Sequence, residues 1–306
     1  MTIRCAIQTL LFTACLICPG VLSLSEAQVT VGRRGDVLLR NTHAEFMLFV
    51  SYFDGLDASS SWATDFDWLY GIGVRGLRVF PNWWRPDFTC DPDTVITLSG
   101  INPLRLQQLK NLITVAGQKG LLVEVALSRE TVCGMPPFPA DPTAQQKTAY
   151  LNGVKALAQQ LASYGNIIVD LQNEWNHVFP SGDGLAQVLA IRDAYRQGDT
   201  SKILVASMDQ NADPATAVQL ATVHGLGAVA YHDRRWGEWY DAELSSKITA
   251  FKEGLRNTRF PVYLNEPRYW EDGQVTKEQF RQALRTAKAQ GAAIWTFHTE
   301  KSFDLA

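Results

Sequence analysis

Two apolar runs in this chain stop at the same pair of residues. Ile167–Leu171 leads into Asn173-Glu174-Trp175, and Phe260–Leu264 leads into Asn265-Glu266-Pro267. Short β-branched runs of this kind read as buried strands. A carboxylate that closes a buried strand, with an amide before it, suits chemistry better than packing. Two such carboxylates could cleave a glycosidic bond by the retaining route. One protonates the leaving oxygen and the other attacks the anomeric carbon, with the pair roughly 5–5.5 Å apart. Either glutamate alone could be an acid at a helix start, where the helix dipole favours it. The repeated context argues for a pair.

Such a pair works only if the fold gathers two distant strand ends. Strand-like runs over 46–53, 75–80, 121–127, 167–171, 203–207, 228–231, 261–264 and 292–297 alternate with helical periods over 62–71, 103–119, 143–164, 185–196, 214–223, 242–256 and 277–290. Eight strands, each but the last followed by a helix, imply an α/β fold with a parallel sheet closed into a single-domain (β/α)₈ TIM barrel. Its active sites lie at the C-terminal rim, where Glu174 closes the fourth strand and Glu266 the seventh. No G-x-G-x-x-G or G-x-x-x-x-G-K-[ST] run supports a nucleotide-binding alternative. Val29–Arg40 reads as a short N-terminal β-hairpin covering the barrel floor. Residues 299–306 are too few for a full eighth helix, which is expected to be short or missing.

The 306 residues carry a formal net charge of −3, which gives no reason to expect nucleic acid or an anionic membrane surface as a partner. Residues 1–27 read as a signal peptide: Arg4, an apolar stretch over Cys5–Cys18, then Pro19-Gly20 and a small-x-small site at Ser25-Glu26-Ala27. The alternatives are an uncleaved anchor and a lipoprotein on Cys15, though Phe12 stands where a lipobox has Leu. The barrel is expected over 28–306, secreted or periplasmic and monomeric. Beyond the leader stand Cys90 and Cys133, after the second and third strands. An even pair in an exported chain points to one disulfide across the rim, against two free thiols.

Asn-Glu after strand four, Glu after strand seven and Trp on strand eight together resemble the large (β/α)₈ clan of retaining glycoside hydrolases, most closely the cellulase and endo-mannanase type called family 5. The resemblance implies Glu174 as acid/base, protonated before attack, and Glu266 as ionised nucleophile. It also implies Asn173 as donor to the sugar 2-hydroxyl, Arg78 as the cation holding the nucleophile, His232 as the rim histidine and Trp295 as the platform under the sugar. Arg78 could equally belong to a structural ion pair. Ser128-Arg129-Glu130 stands where the family has a histidine, and Arg234 where it has a tyrosine. Tyr231 takes that tyrosine's role if its side chain faces the cleft. The implied activity is cleavage of β-linked poly- or oligosaccharides, with no cofactor.

Trp83, Trp84, Trp175, Trp236, Trp239, Trp270 and Trp295 fall at or just after strand ends, and only Trp62 and Trp68 belong to a helix. Rigid aromatic faces suit stacking on sugars, although any one of them could be packing. Trp175 and His298 are further candidates for the cleft. His232 and His298 flank Glu266 in strand order, but no H-x-H or H-E-x-x-H spacing supports a metal. Tyr52 and Asp54 either line the pocket or serve as packing and turn residues. Two rival functions share these features: a catalytically silent carbohydrate-binding barrel, and a transglycosylase using the same residues.

Overall fold

The structure is a computed structural model that describes residues 28–53, 55–81, 94–97, 100–127, 144–178, 184–211, 213–233, 239–266 and 276–298. Residues 1–27, Asp54, Cys90, Cys133, Trp83, Trp84, Arg129, Arg234, Trp236, Trp270 and residues 299–306 lie outside the described residues.

Three short strands come first: β1 (Val31–Arg34), β2 (Val37–Arg40) and β3 (His43–Ala44), an antiparallel sheet of its own. The barrel then alternates β4 (Met47–Ser51), α1 (Trp62–Gly71) and β5 (Val74–Val79). A two-stranded excursion, β6 (Ile96–Thr97) and β7 (Gly100–Ile101), precedes α2 (Pro103–Gln118) and β8 (Leu122–Ala126). The chain continues through α3 (Ala144–Leu161), β9 (Ile167–Asp170), a single turn α4 (Trp175–Val178), α5 (Gly184–Gly198) and β10 (Ile203–Val205). It ends with α6 (Pro214–Thr222), β11 (Val229–His232), α7 (Ala242–Gly254), β12 (Val262–Glu266), α8 (Lys277–Ala289) and β13 (Ile294–Phe297).

The eight barrel strands pair in parallel in the order β10-β9-β8-β5-β4-β13-β12-β11. A parallel bridge between Met208 and Tyr231 joins the two ends, with Met208 N donating to Ala230 O at 3.2 Å and His232 N to Met208 O at 2.8 Å. The (β/α)₈ reading of the sequence therefore holds. Local signals start the helices where expected. Asn102 and Asp213 cap α2 and α6 just ahead of Pro103 and Pro214, and Thr276 with Gln279 forms a capping box on α8.

Side chains alternate across each strand. One set faces the helices and forms the larger core, with Leu77, Val123, Val169, Leu204, Tyr231, Leu264 and Trp295 among its members. The other set fills the barrel, with Met47, Phe49, Leu122, Ile168, Val205, Ala230 and Ile294 in its lower layers. Gly76 faces inward, where a Cβ would collide with the Phe49 ring; glycine there lets Phe49 fill the axis.

The N-terminal sheet closes the floor, as its position in the sequence suggests. Val29 and Leu38 join the inner core. Val31 N donates to Gly165 O, and Arg33 to Gly227 O, both in turns that precede barrel strands. Among the described residues, no helix is long and apolar enough to cross a membrane.

Candidate active site

At the upper end of the barrel the inward positions turn polar. Ser51, Arg78, Glu124, Asp170, Ser207, His232, Asn265, Glu266, Thr296 and His298 are all buried there. Arg78, from β5, is the hub. Its Nη1 donates to Glu266 Oε1 at 2.7 Å, and its Nη2 to Asn173 Oδ1 at 2.6 Å and Asp170 Oδ2 at 3.0 Å. Its Nε lies 3.4 Å from Glu124 Oε1. Burial alone would lower the Arg78 pKa, but Glu266, Glu124 and Asp170 together raise it above the ordinary value. The guanidinium is therefore a permanent charge.

A bulge places the seventh-strand glutamate. Between β11 and β12 the pairing steps from Tyr231–Leu264 to His232–Glu266, skipping Asn265. In a regular strand, consecutive side chains would face opposite sides of the sheet. Here both reach the barrel: Asn265 Nδ2 donates to Glu124 Oε1 at 3.1 Å, while Glu266 meets Arg78. Glu174 is placed by a different device. It sits at φ 47°, a left-handed conformation costly for a non-glycine residue, between β9 and α4. Reciprocal bonds between Asn176 and Asp209, at 2.7 and 2.8 Å, tie α4 to the segment after β10.

The two glutamates converge on one atom. His232 Nδ1 is 2.8 Å from Glu174 Oε1 and 3.2 Å from Glu266 Oε2. With carboxylates on both sides, that nitrogen carries the hydrogen. The His232, Glu174 and Glu266 ligand atoms all lie within 4.8 Å of one another. Their side chains are 13% and 6% exposed for Glu174 and Glu266, so both are sheltered and Glu174 is the more open. His298 Nε2 stands 3.8 Å from Glu266 Oε2, and its Nδ1 is 2.8 Å from Ser51 Oγ. Glu174, His232 and Glu266 also form the one group among the described residues whose spacing could hold a metal ion.

Of the residues singled out in the sequence, Glu174, Glu266, Asn173, Arg78, His232 and His298 are brought together. Trp295 and Tyr231 are not. Ile294 faces inward and so turns Trp295 outward, where its ring meets Phe280 of α8 edge-on at 5.9 Å. The same alternation turns Tyr231 outward against Phe251, at 4.6 Å between ring centroids, with Lys247 over its face. Trp175 and Trp239 are likewise buried in the sheet–helix core. The three described tryptophans of the supposed rim are therefore packing residues. Tyr52 donates to Asp65 and is also core.

Sequence reasoning missed Glu124, Asp170, Ser207 and Ser51. Glu124 and Asp170 did leave a signal. Each is a carboxylate inside an apolar strand, LLVEVAL and IIVDL, where a buried charge must find a partner.

No family model matches this sequence, and no curated protein does. Solved structures do resemble it. One is a glycoside hydrolase family 5 structure from Bacteroides vulgatus, 14% identical with a TM-score of 0.66, covering 89% of this chain and 62% of that one. Another is GH5_18 from Streptomyces cattleya in complex with GlcNAc, 18% identical with a TM-score of 0.62, covering 84% and 71%. A third is the endo-1,4-β-D-mannanase of Thermotoga petrophila, 14% identical with a TM-score of 0.62, covering 83% and 88%. The chain thus spans less than two thirds of the first of these. At identities this low, what it shares with all three is the (β/α)₈ fold.

Proposed function

We propose that this protein is a retaining glycoside hydrolase that cleaves β-glycosidic bonds of a poly- or oligosaccharide by double displacement. The observation that carries the reading is the convergence of Glu174 and Glu266 on His232 Nδ1, with ligand oxygens within 4.8 Å, at the mouth of the barrel. That spacing suits direct attack on the anomeric carbon, whereas a wider pair would leave room for a water. Solved structures similar to this fold include ones described as family 5 glycoside hydrolases and mannanases, which supports a β-linked sugar as substrate.

The roles follow from the contacts. Glu266 is bonded to Arg78 and is the nucleophile, because a permanent cation favours its ionised form. Glu174, more exposed and away from the guanidinium, protonates the leaving oxygen as Glu266 bonds to the anomeric carbon. It then takes a proton from the water that releases the sugar. Arg78 occupies the Asn173 carbonyl oxygen, and the amide nitrogen is left buried without a partner. That free donor is the group for the sugar 2-hydroxyl. His232 spans both carboxylates and fixes their separation. The leader at 1–27 makes export to the periplasm or medium part of the same reading.

A panel of β-glucans, mannans and aryl β-glycosides tests it. Hydrolysis with net retention is expected. Glu174→Ala should spare aryl glycosides with good leaving groups more than natural substrates. Binding of oligosaccharide without turnover on every substrate would favour the silent barrel instead, and transfer to sugar acceptors in preference to water the transglycosylase.

A further inference from the structure

Beneath the two catalytic glutamates, one buried cation faces three buried carboxylates. Arg78 touches Glu266, Asp170 and Glu124, and all four side chains are 6% exposed or less. The three acids are not equally provided for. Asp170 accepts from Arg78, from Ser207 Oγ at 2.7 Å and from Ser207 N at 3.0 Å. Glu266 has Arg78 and His232. Glu124 has one bond from Asn265 Nδ2, the Tyr263 hydroxyl beside it and a long approach to Arg78 Nε. Its Oε2 has no hydrogen-bond partner. A single guanidinium does not neutralise three buried anions, and the least solvated acid is the one that gives way.

We propose that Glu124 is a positioning residue that works in its neutral form, keeping its proton so that Arg78 serves Glu266 and Asn173. Ionised, it would draw the guanidinium toward itself through Nε and loosen the nucleophile. Three kinds of group face it. Arg78 on β5 attracts its charge. Asp170 on β9 repels it. From β12, Asn265 and the Tyr263 hydroxyl favour its ionised form, and Tyr263 itself stays neutral because burial, with Glu124 and Asp170 adding, holds its hydroxyl well above the usual range. The balance agrees with the geometry: burial, against the pull of Arg78, pushes the Glu124 carboxyl up to about 7. This inference deepens the proposed function, but one of its tests does not depend on it.

That test is thermal. A carboxyl whose pKa is raised on folding weakens the fold as pH climbs from its unfolded value toward its folded one, because the native state then holds the extra proton. Glu124→Gln removes the effect. The difference in Tm, Glu124→Gln minus wild type, should therefore grow between pH 5 and pH 8 by ~3 °C or more. A constant or shrinking difference overturns the proposal whether or not the protein hydrolyses sugars. The second test reads kcat/KM against pH. Glu124→Gln should move the alkaline arm upward by about half a pH unit or more, since one ionisation that disables Arg78 is gone. Glu124→Ala, which removes the shorter Asn265 Nδ2 bond and the side chain beside Arg78 Nε, should fall at least tenfold below Glu124→Gln in kcat with little change in KM. An unmoved arm, or Gln no better than Ala, contradicts a neutral working form.

Discussion

The two ends of this barrel are built on the same inward-facing positions and filled with opposite chemistry. At the floor, Met47, Phe49, Leu122, Ile168, Val205 and Ile294 form one core with Val29, just before the N-terminal sheet, and Leu38 within it. Two residues further along several of the same strands stand Ser51, Glu124 and Asp170, with Arg78 two beyond Gly76. The floor gains from burying apolar area and excluding water. The mouth gives up that gain and spends it on a network in which Arg78 connects Asn173, Asp170 and Glu266. Apolar packing and buried charge are thereby separated along one axis, and on the proposed function substitutions at the two ends should fail in different ways.

The largest effect should come from removing the proposed nucleophile. Glu266→Ala is expected to lower kcat by at least about 10³-fold, with external azide restoring some product of inverted configuration. Full activity in that variant, measured on an aryl β-glycoside, would remove the chemistry from this end of the barrel. Arg78→Met should damage both properties, because it leaves Asp170 and Glu266 buried without their cation. A loss of about 3–5 kcal/mol is expected in denaturant unfolding at pH 7, easing as pH falls and the acids take up protons. Arg78→Lys should recover only part of the activity, since an ammonium cannot reach several partners as a planar fork does.

At the other end, Leu38→Ala should cost about 2–4 kcal/mol of stability while kcat/KM stays within roughly threefold. A selective loss of turnover there would mean that the floor is coupled to the mouth. The smallest effect is expected from Trp295→Phe. Its ring lies between sheet and helix α8, so the cost should be about 1–2 kcal/mol of stability, with kcat/KM changed by less than about threefold. A loss of substrate affinity in that variant would place the ring in the cleft instead.

The strand order, the floor sheet and both glutamates were legible in the sequence, because each rests on a local signal: a β-branched run, a cap, a proline at a helix start. The bulge that lets Asn265 and Glu266 both enter the barrel was not, since it depends on register against β11. Nor was the left-handed backbone at Glu174. The outward turn of Trp295 was missed, and that of Tyr231 was left open, because resemblance to a family carries a residue's position and not its side of the strand. Glu124 and Asp170 were visible as charges in apolar runs, but their shared partner lies 46 and 92 positions away and appears only when the barrel closes.

The central claim is that Glu266 becomes covalently bonded to sugar during turnover. Incubation with a 2-deoxy-2-fluoro β-glycoside bearing a good leaving group, followed by digestion and tandem mass spectrometry, tests it directly. A single glycosyl adduct on Glu266 is the expected result. An adduct on Glu174 or elsewhere, or none from a glycoside whose unfluorinated form is hydrolysed, would contradict the account.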